Sequence, residues 1–191
     1  MPFEHTLINL KRELIRTFAV VDEWFDKAHT LRSYKPADGG WGVSEVLEHI
    51  MLTNHFLLIV IEKGTLKALK KSENIDGKFI VPEDYVLATP GLLQIGDPNA
   101  FEWQRPEHHQ PTGSQSLHDV RREIRDQLDQ CLITLELLQR GEGILHHTTM
   151  SVNSLGKLDV YQYVYFLALH AQRHLIQMKN IEQEFEKCLS V

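Results

Sequence analysis

Four stretches of the chain repeat apolar residues at steps of three and four, the spacing that lines one side of an α-helix. Over residues 3–29, Leu7, Leu10, Leu14, Phe18, Val21 and Phe25 share one stripe, and acidic and basic residues take the other faces. A second helix is predicted to start after Trp41 and run to about residue 63. Its apolar positions, Val46, Leu47, Ile50, Met51, Phe56, Leu57, Ile59 and Val60, nearly encircle it, so it belongs at the centre of a helical core. Gly42 can cap this helix, with Glu45 reaching back to it. A third helix covers 116–140 on Leu117, Val120, Ile124, Leu128, Cys131, Leu135 and Leu138, and is ended by Gly141 and Gly143. The fourth opens at Asp159, with Gln162 placed to complete a capping box, and runs to about residue 187.

The segments between are of two kinds. The break SYKPADGG is short. Residues 72–115 hold Pro82, Pro90, Pro98, Pro106 and Pro111 and keep no period for long. A connection of that length in a compact domain is uncommon and often functional: it can cross from one end of the helices to the other, or cover a pocket. With no strong strand signal, the chain reads as all-α, a single domain over 1–191, folded as a four-helix bundle with a long crossover between the second and third helices. Such bundles build metal sites from facing helices.

Composition narrows the chemistry. A net charge of −6 argues against nucleic-acid binding, which calls for a basic face. The longest apolar run, Ile50 to Ile61, is interrupted by Thr53, Asn54 and His55 and is too short to cross a bilayer. Two cysteines, Cys131 and Cys188, make no disulfide framework, and with a charged N-terminus they point to a cytoplasmic setting. The four lysines in KGTLKALKK suit a solvated helix end. Eleven histidines against two cysteines favour imidazole chemistry over thiolate chemistry.

The fourth helix contains LHAQRHLIQMKNI, which sets His170 and His174 one turn apart on one face. Tyr163, Phe166, Leu167, Ala171, Met178 and Ile181 share or border that stripe, so both imidazoles point inward. A buried imidazole needs partners for its nitrogens, and one metal ion satisfies a nitrogen on each ring. A third ligand must come from another helix. The second helix offers His49 amid Val46, Leu52, Thr53 and Phe56, although ordinary hydrogen bonding also explains a lone core histidine. A histidine pair plus a distant third histidine is a common catalytic zinc arrangement with one open position.

The segments WGVSEVLEHI and SLGKLDVYQYVYFLALHAQRHLIQMKNI resemble the DinB/YfiT-like superfamily of metal-dependent enzymes. Trp41, His49, Gly156, His170, His174 and Gln177 match its pattern in order and spacing, while Gly42 stands where many relatives carry a Ser or Thr cap. The resemblance implies a four-helix bundle, a divalent ion such as zinc or nickel on His49, His170 and His174, and a homodimer. It also implies a small-molecule substrate, with a low-molecular-weight thiol transferred to an electrophile or used in isomerisation. Two other readings keep the metal: a hydrolase that activates water and needs a general base the sequence does not identify, and a non-catalytic, stress-related metal-binding protein.

Other residues draw competing readings. Glu48 either orients a ligand or, with Glu45, caps or solvates the helix. Tyr163 either places a hydroxyl at a pocket mouth or packs in the core, and Trp41 reads as a packing anchor. His108, His109, His146 and His147 are expected to be polar loop residues, the functional alternative being that His147 or a loop carboxylate approaches the metal. His55 turns to another side of its helix, and His5 and His118 look structural. No GxSxG, phosphate loop or carboxylate pair on an apolar stripe appears, and nothing near Cys131 in sequence would lower its pKa.

Overall fold

A computed structural model describes residues 3–75, 80–103 and 110–190. The chain is mostly helical, with elements in the order α1 (Phe3–Glu23), α2 (His29–Arg32), α3 (Val43–Glu73), α4 (Pro90–Leu93), α5 (Leu117–Leu137), β1 (His147–Met150), β2 (Gly156–Asp159) and α6 (Val160–Leu189). Four of these are long. Helix α1 packs against α5 and α6, and α3 packs against the same two. The predicted stripes face inward: Leu7, Leu10, Leu14, Phe18 and Val21 of α1 are buried, as are Val120, Ile124, Cys131 and Leu135 of α5. They join the buried faces of α3 and α6 in one apolar core. Polar ties reinforce the seams. Lys11 pairs with Glu136 and Arg121 with Asp22 between α1 and α5, and the buried Gln127 of α5 donates to the Met51 carbonyl of α3 at 3.0 Å.

The structure corrects the sequence reading at three places. The first helix stops at Glu23 rather than near residue 29. A 3-10 turn at Trp24–Asp26 then buries Trp24 and Phe25, and α2 follows. The second helix does not end near residue 63 but continues to Glu73. Gly64, just past the expected end, is a buried helical residue, and a Cβ there would lie 3.1 Å from Val160 Cγ2. The glycine lets the start of α6 approach α3 closely. Finally, the stretch after α5 is not wholly irregular. It carries an antiparallel hairpin in which His147 pairs with Asp159 and Met150 with Gly156. Four-residue strands alternate too briefly to stand out against loop sequence.

Among the described residues, α3 is the one helix long and apolar enough to cross a membrane. Most of its apolar stretch is buried against the rest of the protein, which is what a central core helix requires.

Candidate metal centre

The helices that carry the predicted ligands are both fixed at their N-termini. At α6 the Asp159 carboxylate accepts the Gln162 N–H at 2.9 Å, and the Gln162 side chain accepts the Asp159 N–H at 3.1 Å, a complete capping box. At α3 the cap is half of one: Glu45 Oε2 accepts the Gly42 N–H at 2.8 Å, and Gly42 has no side chain to return the bond. A Cβ at residue 42 would sit 2.5 Å from the Tyr34 carbonyl oxygen, which explains glycine at this cap. Glu45 also pairs with Lys35.

These starts set the register that brings three histidines together. His49 is 4% exposed, His170 1% and His174 6%, so all three are core residues. Their ring centroids form a tight triangle: 5.2 Å for His49–His170, 4.7 Å for His49–His174 and 4.5 Å for His170–His174. One nitrogen from each ring lies within 4.8 Å of the others, and this is the only such cluster of three His, Cys, Asp or Glu among the described residues.

The outer contacts fix how the rings are presented. Gln177 Oε1 lies 2.8 Å from His174 Nδ1 and can only accept there, so Nδ1 carries the proton and Nε2 presents its lone pair. That lone pair faces His170 Nε2 at 3.1 Å. Two facing lone pairs repel, so the gap needs either a proton on His170 Nε2 or a cation shared by both. A neutral, all-imidazole donor set suits zinc, nickel, copper or iron, and three buried rings that converge, one of them oriented by Gln177, fit such an ion. Trp41 tilts against His49 with 4.7 Å between ring centroids, and Trp103 meets His170 edge-on at 5.4 Å.

The cluster opens on a cleft of about 560 Å³ lined by Pro98, Phe101, Glu102, Trp103, Arg173, Gln177 and Asn180 as well as the three histidines. This is a volume suited to a small organic ligand. Among the described residues, the cleft leaves one side of the cluster open.

The remaining candidates fall elsewhere. Tyr163 is 3% exposed and its hydroxyl faces the Thr148 carbonyl, so it is a core residue and not at the cleft mouth. Glu48 neither caps nor solvates the helix: it is 2% exposed and accepts the backbone N–H groups of Thr112 and Gly113, both at 2.9 Å. His55 and His147 are exposed, and His147 does not line the cleft. His146 lies beside Gly64, fifteen residues along α3 from His49, or about 22 Å at the rise of a helix. Burial and the nearby Lys67 and Lys71 lower its pKa. His5 and His118 are exposed near the starts of α1 and α5. His108 and His109 lie outside the described residues. Burial pushes the Cys131 thiol up to about 12, which leaves it inert as a nucleophile.

Sequence reasoning missed the cleft wall. Phe101 and Trp103 sit two apart in the long connection, and Arg173 directly precedes His174. An aromatic pair in a proline-rich connection was the available signal. Trp41 was read as a packing anchor, and it packs on a ligand candidate.

The sequence model of the DinB superfamily matches residues 12–178, which include His49, His170 and His174. The chain therefore belongs to the DinB superfamily. No curated protein and no solved structure matches it significantly.

Proposed function

We propose that this DinB-superfamily chain is a metal-dependent enzyme that holds one zinc or nickel ion on His49, His170 and His174 and transfers a low-molecular-weight thiol to an electrophile. The observation that carries the reading is the convergence of three buried imidazoles beside an open cleft of about 560 Å³. Among the described residues the cluster offers three donors, the number that a catalytic site with one open position uses. When bound, a divalent ion in such a site supplies Lewis-acid chemistry that favours the anionic form of a thiol at neutral pH.

The chain's own residues do the rest. Gln177 holds the His174 ring in one tautomer, and the two tryptophans press on His49 and His170 and keep water from their outer edges. The cleft residues orient the thiol and its acceptor. In the transfer, a sulfur–carbon bond forms, the bond from that carbon to its leaving group breaks with its electron pair, and the thiol proton leaves to solvent or to the departing group. Hydrolysis is the second reading, favoured by one observation: Glu102 brings a carboxylate to the cleft as a candidate general base.

The four long helices are read as the family's four-helix bundle, formed by one domain and crossed by the 72–115 connection. The active form is read as a cytoplasmic homodimer.

The test is metal analysis of purified protein followed by turnover assays. One equivalent of zinc or nickel, with thioether formed from a thiol and a haloaromatic or epoxide acceptor, supports the reading. Ester or amide cleavage lost in Glu102→Gln, without thioether formation, would move it to the hydrolase. Stoichiometric metal with no turnover across thiols, acceptors and esters sinks both.

A further inference from the structure

Arg173 lies between His170 and His174 in the primary structure and is not one of the ligand candidates, yet it makes several contacts to one loop. Its Nη1 donates to the Asp97 carbonyl, and its Nη2 donates to the carbonyls of Pro98 at 3.1 Å and Phe101 at 3.2 Å. Its guanidinium also lies over the rings of Phe101, at 5.1 Å, and Trp103, at 5.5 Å. The loop turns tightly within itself, with the Asn99 N–H donating to Asp97 Oδ1 at 2.8 Å. The Asp97 carbonyl also accepts the Ala100 N–H at 3.3 Å, and one planar guanidinium reaches that carbonyl and two more. A lysine has a single ammonium and no fork to do this.

The same loop supplies Pro98, Phe101, Glu102 and Trp103 to the cleft, and the Trp103 ring touches both Phe166 and His170. Arg173 is one residue from His174, so the wall of the cleft is tied to the helical turn that carries two of the histidines. We propose that Arg173 is a positioning residue: it holds the 97–103 segment as the outer wall of the histidine cleft and so determines how readily small molecules reach the imidazoles. Its contribution is to access and fit, not to holding the ion. The inference rests on the metal-binding reading above only for its first readout.

Glu48 provides the comparison. It too stands beside a histidine, His49, and pins a piece of the same connection through Thr112 and Gly113, but that piece does not line the cleft. A general loosening of the connection would follow from either substitution. A specific wall would respond to Arg173 alone.

The first measurement is the rate at which dipicolinate strips cobalt(II) from the loaded protein, followed by the cobalt visible spectrum. Arg173→Ala is expected to strip about tenfold faster than the unaltered protein, the scale set by losing charge-assisted hydrogen bonds, with its equilibrium cobalt affinity within about threefold. Arg173→Lys should fall between, and it carries the test if the alanine variant does not fold by circular dichroism. Glu48→Gln should stay within about twofold of the unaltered rate.

Equal rates in the Arg173 variants and the unaltered protein overturn the proposal, as does an equal acceleration in Glu48→Gln. Failure of the unaltered protein to bind cobalt counts against the metal reading alone. The second measurement, acrylamide quenching of Trp103 with Trp24 and Trp41 replaced by Phe, then decides. Arg173→Ala should raise the quenching constant about threefold through local opening, and an unchanged constant overturns the proposal.

Discussion

The two halves of α6 bury polar side chains to different ends. At its N-terminal end, Asp159 is 2% exposed and Tyr161 is fully buried. Each polar atom there finishes on a neighbour: Asp159 on the Gln162 N–H, and the Tyr161 hydroxyl on the Leu138 carbonyl while it accepts the Gly143 N–H at 3.1 Å. Three turns later, His170 and His174 are as deeply buried, but their Nε2 atoms face one another across 3.1 Å with His49 beside them. One end closes its polar groups on the chain. The other converges them on a shared space next to a cleft. Burial of polar atoms is common to both, so it does not mark the site; convergence does.

The contrast breaks first at the ligands. A metal on three histidines draws roughly a third of its affinity from each, so His170→Ala should weaken binding by about 4 kcal/mol, about a thousandfold. Competition with a fluorescent zinc chelator reads this directly, and full metal occupancy in that variant would remove His170 from the ligand set. The next effect is smaller. Gln177→Leu keeps the bulk and removes the acceptor at His174 Nδ1, and should weaken metal binding by 10–100-fold, the usual range for such outer contacts. If affinity is unchanged, the orientation of His174 is set by packing alone.

The same ladder of effects shows what the primary structure could and could not reveal. His170 and His174 were legible because helix geometry forces residues four apart onto one face, and the apolar stripe beside them gives that face its direction. Asp159 and Gln162 were legible because a capping box is local. His49 was weaker on residues alone, since nothing in its own helix separates a ligand from an ordinary core histidine; the family pattern singled it out. Arg173 and Glu48 were not legible as anchors, because their partners lie more than sixty residues away and are mostly backbone atoms, which leave no residue signature. The continuation of α3 past Gly64 was hidden for a related reason. That glycine answers to the approach of Val160 in space, while its neighbours in sequence suggest a break.

At the closed end, Tyr161→Phe strands a buried carbonyl and a buried N–H. It should cost about 2 kcal/mol of folding stability, within the range for unsatisfied buried groups, and leave metal affinity untouched. Urea unfolding and the zinc competition assay together check both halves. A change in metal affinity comparable to that of Gln177→Leu would mean the two ends of α6 are coupled and the contrast is false.

The smallest effect comes from a charged cluster on the α1–α5 side, outside both regions. Asp22 accepts paired bonds from Arg121 at 2.9 and 2.7 Å and from Arg125 at 2.8 and 2.8 Å. The Arg121 hydrogen bonds, then those of Arg125, hold its carboxyl well below the ordinary value of 3.8. A carboxylate depressed on folding stabilises the protein fully above that ordinary value, and the stabilisation fades as pH falls toward the depressed one. The groups are partly exposed, so screening keeps the gain small: Asp22→Asn should cost about 1 kcal/mol at pH 7. The gap to the unaltered protein should then narrow below about pH 4, where the unfolded carboxylate takes up a proton while the folded one stays ionised. Urea unfolding across that range checks the slope. A gap that stays constant with pH would show that Asp22 acts through packing or geometry and not through its charge. Metal affinity at pH 7 should not move, because this network joins α1 to α5, while His49 lies on α3 and His170 and His174 on α6.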